Sequence, residues 1–431
     1  MNTEKARSRF RAWGGFAVLL LTAPAGVFAQ QTVQLPARDK VLSDKMPVLY
    51  TVGREEGEDW EILSGVRAVA FDARDNLYLL DANNYRILVF DAQGKFVRRI
   101  AAHGEGPGEL MIPTGMTVLA DGTVVVSDAG RRAYSLFKSD GTFLRNVAFA
   151  PNEGVGGRPS VAATTDMWMD GLHAHPRSGF VVSITPNIRQ GRAAGEPTGE
   201  RKVFVRWIDI AASNTPTVDL YQFTLPSITP RVQEMSGGGV SITMQPTLWT
   251  PGNTFDVLPH GGVAIADEAV YRIKIFSATG KHERTFERAI APRKGTLEDK
   301  QTFIKQRREG ALQAGGTQRG RNGSASAAPP PAQALASVEE MMRNATWRDV
   351  IPVLRRVSTD PQGRIWVART PGDFGPRGPI DLVSGNGVYI GTIANARLPE
   401  AVSRSGRAAF VEVDDLGVEH VAIKQVPATW K

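Results

Sequence analysis

The sequence predicts an all-β, six-bladed β-propeller with four-stranded antiparallel blades, on three observations. First, LYLLDANNYRILVFDAQGKFVRRI from Leu77 aligns without a gap on VVVSDAGRRAYSLFKSDGTFLRNV from Val124. Asp81 falls on Asp128, Phe90 on Phe137, Gly94 on Gly141 and Phe96 on Phe143. Repetition at a constant offset marks a fold assembled from like units. Second, every unit has the same grammar: short apolar strands separated by Asp/Gly turns such as Asp121-Gly122 and Gln93-Gly94. Gly, Asn and Asp tolerate the positive φ that tight hairpins demand. Third, strands such as LYLL and VVVS are apolar on both sides, as expected of sheets stacked face to face with both faces buried.

Further units follow in order. SGFVVSITPNI from Ser178, with RKVFVRWIDI after an insert, is a divergent unit. VAIADEAVYRIKIFSATGKHERTF from Val263 places Asp267 on Asp81, Arg272 on Arg86 and Phe276 on Phe90. STDPQGRIWVA from Ser358 and LVSGNGVYIGTI from Leu382 form a split unit, and AAFVEVDDLGVEHVAIKQV from Ala408 is a hairpin with an Asp-Leu-Gly turn. The last unit has too few strands, whereas PVLYTVG, from Pro47 to Gly53, is a strand without a partner. An open edge is a liability, so the N-terminal strand is expected to complete the last blade and close the ring. The recurring Asp81, Asp128 and Asp267 are expected to cap turn amides, and Arg86 and Arg272 to bridge strands or blades.

The domain reading is a signal peptide over 1–29, a linker over 30–45 and the propeller over 46–427. A helical, partly disordered insertion over 296–346 precedes the fifth blade. Thr296 is its first N-cap. Ser337 with Glu340 gives a capping-box spacing for a second helix, and the low-complexity GGTQRGRNGSASAAPPPAQA lies between them. The helical pair reads either as a flap over one end of the propeller or as a decorative insertion. NEGVGGRPSVAATT, 152 to 165, reads as a mobile loop.

Lys5, Arg7, Arg9 and Arg11 precede an apolar run from Phe16 to Val27, and Val27-Phe28-Ala29 places small residues before a cut between Ala29 and Gln30. This is the pattern of a secretory signal. The chain is therefore expected in the periplasm or outside the cell, with no stable membrane anchor after cleavage. There is no cysteine, which excludes disulfides and a lipoprotein anchor. Removing residues 1–29, with four basic and one acidic residue, lowers the formal charge from +7 to +4. That is too mild to argue for nucleic acid as a partner. Arg293 to Arg321 carries eight Lys/Arg against three acids and reads as a solvated surface insertion.

The units resemble the NHL-like bacterial six-bladed β-propeller family of exported proteins. The resemblance rests on Gly104-Glu105-Gly106-Pro107-Gly108, Pro113, Asp81, Asn84-Tyr85-Arg86-Ile87 and Phe90-Asp91-Ala92-Gln93-Gly94. It also rests on the ending Asp415-Leu416-Gly417-Val418-Glu419-His420-Val421. The resemblance covers roughly 45 to 427 and implies a scaffold without implying a reaction.

HGEGPGELMIP, from His103 to Pro113, is no dinucleotide loop, because the sixth position of that glycine pattern is Glu109 and a strand follows. It reads as a blade-to-blade connector, leaving His103, Glu105 and Glu109 as candidates to touch a ligand. His173-x-His175 places two imidazoles on one face of a strand, which suits chelation, and His260 lies near a blade end. These three are the metal candidates. His282 and His420 read as surface residues. Trp168, Trp207, Trp249, Trp347 and Trp366 fall mostly at strand ends and read as packing groups. No Gly-x-Ser-x-Gly or Walker pattern occurs. The sequence therefore points to a monomeric, non-catalytic binding or scaffold propeller without a cofactor, engaging a protein, peptide or glycan on one face. The alternative is a metal-dependent hydrolase or lyase, lactonase-like or NHL lyase-like, with zinc or calcium at the central channel.

Overall fold

A computed structural model describes residues 31–149, 172–177, 179–187, 201–212, 215–225, 230–234, 240–244, 246–313, 318–319, 325–326, 331–414 and 416–430. The signal segment with Ala29 and Gln30, the loop 152–165, Trp168 and most of the low-complexity stretch lie outside the described residues.

Blade one comprises Val66–Phe71, Leu77–Asp81, Arg86–Phe90 and Phe96–Ile100, paired in that order from the channel outward. Blades two to five start from the inner strands Pro113–Val118, Leu172–Ala174, Thr254–Val257 and Leu354–Thr359. Blade six takes Ala401–Val402, Arg407–Val413 and Glu419–Gln425 from the C-terminal end. Its outermost strand is Val48–Val52, which lies antiparallel on Glu419–Gln425 with Tyr50 opposite Ile423 and Val52 opposite Val421. The expected closure by the N-terminal strand is the one found.

Alternation explains why both sides of each strand are apolar. Leu77 and Leu79 pack into the wall shared with blade six, whereas Tyr78 and Leu80 pack into the wall shared with blade two. All four are at most 1% exposed. Side chains of successive strand residues point to opposite faces, so one strand serves two interfaces. Each hydrophobic core cluster joins two neighbouring blades, and together the clusters cover every junction of the ring. Burial of each large aliphatic side chain contributes roughly 1.5–3 kcal/mol. The turns behave as their residues dictate. Gly94 has φ +82°, and the Asp91 carboxylate accepts the amides of Gln93 and Lys95.

Three expectations change. The segment read as a linker over 30–45 carries strands. Gln31–Leu35 runs parallel to the outer strand of blade four, His282–Arg288, and Val41–Leu42 runs parallel to the outer strand of blade five, Tyr389–Ala396. Between them Arg288, with a side chain 0% exposed, donates to the Pro36 carbonyl, to Asp39 and to Asp381 of blade five. The N-terminal segment thus straps the two blades together.

The second change concerns the recurring aspartates. Asp81 accepts the Ser64 amide and the Arg86 Nε–H, and Asp128 accepts the amides of Met111, Ile112 and Gly130. Asp267 instead binds the Tyr221 hydroxyl at 2.6 Å and the Lys274 ammonium at 3.0 Å. Blade four has no Gly-rich lead-in whose amides need an acceptor, so its carboxylate takes side-chain partners. Arg272 stays within its own blade, on Glu268 and Glu287.

The third change is in the insertion between blades four and five. Helix α1 spans Leu297–Gln313 with Thr296 capping it as expected, its hydroxyl accepting the Asp299 amide. Helix α2 spans Pro331–Arg343, starting at Pro331 rather than Ser337. Proline is preorganised for a first helical turn, where its missing N–H costs nothing. Phe303 of α1 packs against Trp347 and Phe374, and Trp249 against Trp347. This aromatic cluster docks the insertion on the face that carries the blade-to-blade connectors.

Candidate functional site in the central channel

The inner strands of all six blades enclose a cavity of about 810 Å³. At the connector face its wall includes Arg67, Thr114, Arg355, Arg356 and Glu400, with His173 deeper, level with Asp256. At the far end the inner-strand hairpins contribute His175 and Asp360.

The ionisable groups of this wall are mostly spent between neighbours. His173 of blade three places Nδ1 2.8 Å from Asp256 Oδ1 of blade four. The other oxygen of Asp256 accepts the Thr359 amide at 2.6 Å and the Ser358 hydroxyl at 3.1 Å, both from blade five. One carboxylate therefore ties three consecutive blades. Burial pushes its pKa up, but the His173 charge and hydrogen bond, with the Thr359 and Val257 amides, hold it below the ordinary 3.8. Nearer the mouth Arg356 pairs with Glu400 at 3.1 Å, joining blades five and six. At the far end Asp360 accepts Nε of Arg364 and Nε1 of Trp366.

The predicted metal candidates do not gather into one site. His173 and His175 share a register, but the strand ends at Ala174, so His175 already lies in the hairpin turn. There its Nδ1 accepts the Arg177 amide at 3.1 Å, its ring lies against Gly261, and burial holds its pKa below the ordinary 6.5. His260 is exposed and folds over Gly262 in its own turn. Among the described residues no group of three or more His, Cys, Asp or Glu side chains is arranged to hold a metal ion.

The connector His103 to Pro113 is built as architecture. Arg131 donates to the carbonyls of Gly104, Gly106 and Glu109, and Leu110 is 0% exposed. Glu109 is used inside the loop, accepting the Gly106 amide at 2.7 Å, while Gly104 has φ +155° and no room for a Cβ beside that carboxylate. His103 is exposed with its ring on Tyr85, and Glu105 is exposed. None of His103, Glu105 and Glu109 lines the channel.

Sequence reasoning missed Asp256, Ser358 and the inner-strand arginines. Asp256 carried a signal, being the one carboxylate inside an inner strand: the others read VRAVAF, PTGMTV, LHA, LRRVST and AV.

Part of the chain matches a known family model. The family model DUF5128, described as a 6-bladed beta-propeller, matches residues 58–147, blade one and most of blade two. No curated protein sequence matches the chain. Among solved structures, a DUF4221 family member from Bacteroides vulgatus is 11% identical, with TM-score 0.46 over 88% of this chain and 98% of that one. A protein from Bacteroides fragilis, provisionally described as exported, is 10% identical, with TM-score 0.43 over 92% and 100%. A gluconolactonase from Xanthomonas campestris is 13% identical, with TM-score 0.38 over 84% and 87%. Among the described residues no helix is long and apolar enough to cross a membrane. With four-stranded blades closed into a ring, and with the family match over its first units, the chain is a six-bladed β-propeller protein.

Proposed function

We propose that this chain is an exported, non-catalytic binding propeller that takes a protein, peptide or glycan at the connector face, with part of that ligand entering the central channel. The observation that carries the reading is the channel itself. Its 810 Å³ lies within the range of about 300–1,000 Å³ in which proteins hold small ligands or chain ends. Its acids and histidines are engaged either between blades, as in His173–Asp256 and Arg356–Glu400, or in their own turns, as in Asp360 and His175, so the wall is a polar socket held by its own contacts. A metal-dependent hydrolase or lyase needs at least three convergent ligands, and the described wall supplies paired groups instead.

Gly115 lines the channel, and a Cβ there would stand in ordinary contact 3.5 Å from Leu172, so Gly115→Trp places a bulky ring in the channel wall, with the melting temperature as its folding control. Against defined peptide and glycan arrays, the wild-type protein is expected to bind a restricted set, and the plugged variant to lose it with an unchanged melting temperature. Binding that survives the plug, or stoichiometric zinc or calcium in the purified protein, overturns the reading. Export rests on the basic start, the apolar run and the small residues before Gln30. Protein recovered from the envelope fraction is expected to begin at Gln30, and one that begins at Met1 contradicts it.

A further inference from the structure

The inner strands of blades one, two and five share a defect. Pairing slips between Val66 and Ala68, between Pro113 and Gly115, and between Leu354 and Arg356. In each case the second residue of the strand is the extra one: Arg67, Thr114 and Arg355. All three line the channel at its connector-side mouth. A β-bulge breaks the strict alternation of a strand and re-aims a side chain, which is why bulges cluster beside functional sites. Packing does not call for this. Blade three reaches the channel with three regularly paired residues and blade four with four.

Three arginines, Arg67, Arg355 and Arg356, meet at this mouth. Arg356 has Glu400. Arg355 donates Nη1 to the Gly375 carbonyl at 2.8 Å and Nη2 to the Pro376 carbonyl at 3.1 Å. Among the described residues no carboxylate lies within ion-pair distance of it. Two neutral carbonyls fix the direction of the guanidinium, Asp373 acts on it only from beyond ion-pair distance, and Arg67 brings another arginine to the mouth from blade one across blade six. A cation drawn partly out of water is costly unless an anion joins it. Burial, with Arg356 and Arg397 nearby, holds Arg355 below the ordinary arginine value, and Asp373 offsets this only in part.

We propose that the connector-side mouth of the channel binds an oxyanion, a carboxylate or phosphate of the ligand, on Arg355, with Arg67 and Arg356 supplying further positive charge. The inference rests on the channel-binding reading and names its chemistry. A planar guanidinium held by two carbonyls keeps an N–H edge for a planar or tetrahedral oxyanion, a geometry that lysine does not reproduce.

The test uses the full mature chain at low ionic strength, with glutarate and inorganic phosphate as probes in titration calorimetry. Saturable binding near about 1 mM is expected, weakening with added salt. It should fall about tenfold in Arg355→Gln and about threefold in Arg67→Gln. Arg67 is exposed, so its variant reports charge without disturbing the Gly375–Pro376 loop. Tighter binding of glutarate assigns a carboxylate, and tighter binding of phosphate assigns a phosphate. Binding that is unchanged in both arginine variants but abolished by Gly115→Trp overturns the arginine assignment and leaves the channel reading standing. No saturable binding of either probe up to about 10 mM also overturns the assignment, and the array experiment then judges the channel alone.

Discussion

The seam where blade six meets blade one and the junction between blades four and five solve one problem by different means. Both must hold two blades whose sequences lie far apart or are separated by an insertion. The seam uses register: Val48–Val52 adds a strand to Glu419–Gln425, and Val52, Leu79, Val421 and Ile423 share one core. Its charged ties are lighter: Glu419 accepts the Val66 amide of blade one at 2.9 Å, and Arg407 donates to the Ala92 carbonyl and lies 3.6 Å from Asp75. The junction has an apolar core of its own, but across it runs the buried Arg288–Asp381 pair at 2.9 Å, tied to Asp39 of the N-terminal strap. A strand pairing places one chain end on the other. The buried ion pair fixes two blades between which the chain leaves for the whole α1–α2 insertion.

The difference predicts unequal sensitivity. Asp381→Ala is expected to produce the largest loss, about 3 kcal/mol in denaturant unfolding, because it removes the buried carboxylate from Arg288 and leaves it only the half-exposed Asp39. A loss under about 1 kcal/mol would show that the junction is held by its apolar core alone. The matching change at the seam, Glu419→Gln, is expected to shift stability by no more than about 1 kcal/mol, since the amide side chain still accepts the Val66 amide.

Acid separates the two regions further. Burial raises the Glu419 carboxyl above the ordinary 4.5, despite the amides it accepts. The folded seam therefore holds a proton that the unfolded chain releases, and its stability rises as pH falls from neutral toward 4.5. Burial also pushes Asp39 up, but Arg369 and Arg288 more than reverse this and hold it below 3.8. Its contribution is complete above 3.8 and is lost only as pH falls beneath that value. Protection factors of the Val421 and Ile423 amides, with the intrinsic pH dependence of exchange divided out, are expected to rise between about pH 7 and about pH 5, with no change at Ile393 of blade five. Glu419→Gln should abolish the rise, and equal responses at both places would erase the distinction.

The seam was legible in the sequence and the strap was not, for a physical reason. PVLYTVG is an apolar strand that lacks a partner, in a chain whose last unit lacks a strand, so the two shortages complete each other. Gln31–Leu35 is half polar, pairs in parallel with a strand on the far side of the chain and is mostly exposed, so no local pattern announces it. Within the site, His173 was visible as half of a His-x-His pair. Its partner Asp256 belongs to another blade, and that contact appears only once the ring is closed. The bulges at Arg67 and Arg355 are register facts, invisible until each inner strand has a neighbour to slip against.

The ring is closed by the N-terminal strand in one register. Thr51 stands opposite Ala422, on the side of the pairing away from the shared core of Val52 and Val421. The chain has no cysteine, so Thr51→Cys with Ala422→Cys introduces the only two thiols. Paired antiparallel residues lie about 4.5–5.5 Å apart at Cα, within disulfide range. Mild oxidation is expected to link the two ends quantitatively in the folded protein, with the cross-linked pair found by peptide mapping and a raised melting temperature. Two thiols that stay reduced while the protein remains folded would contradict this closure.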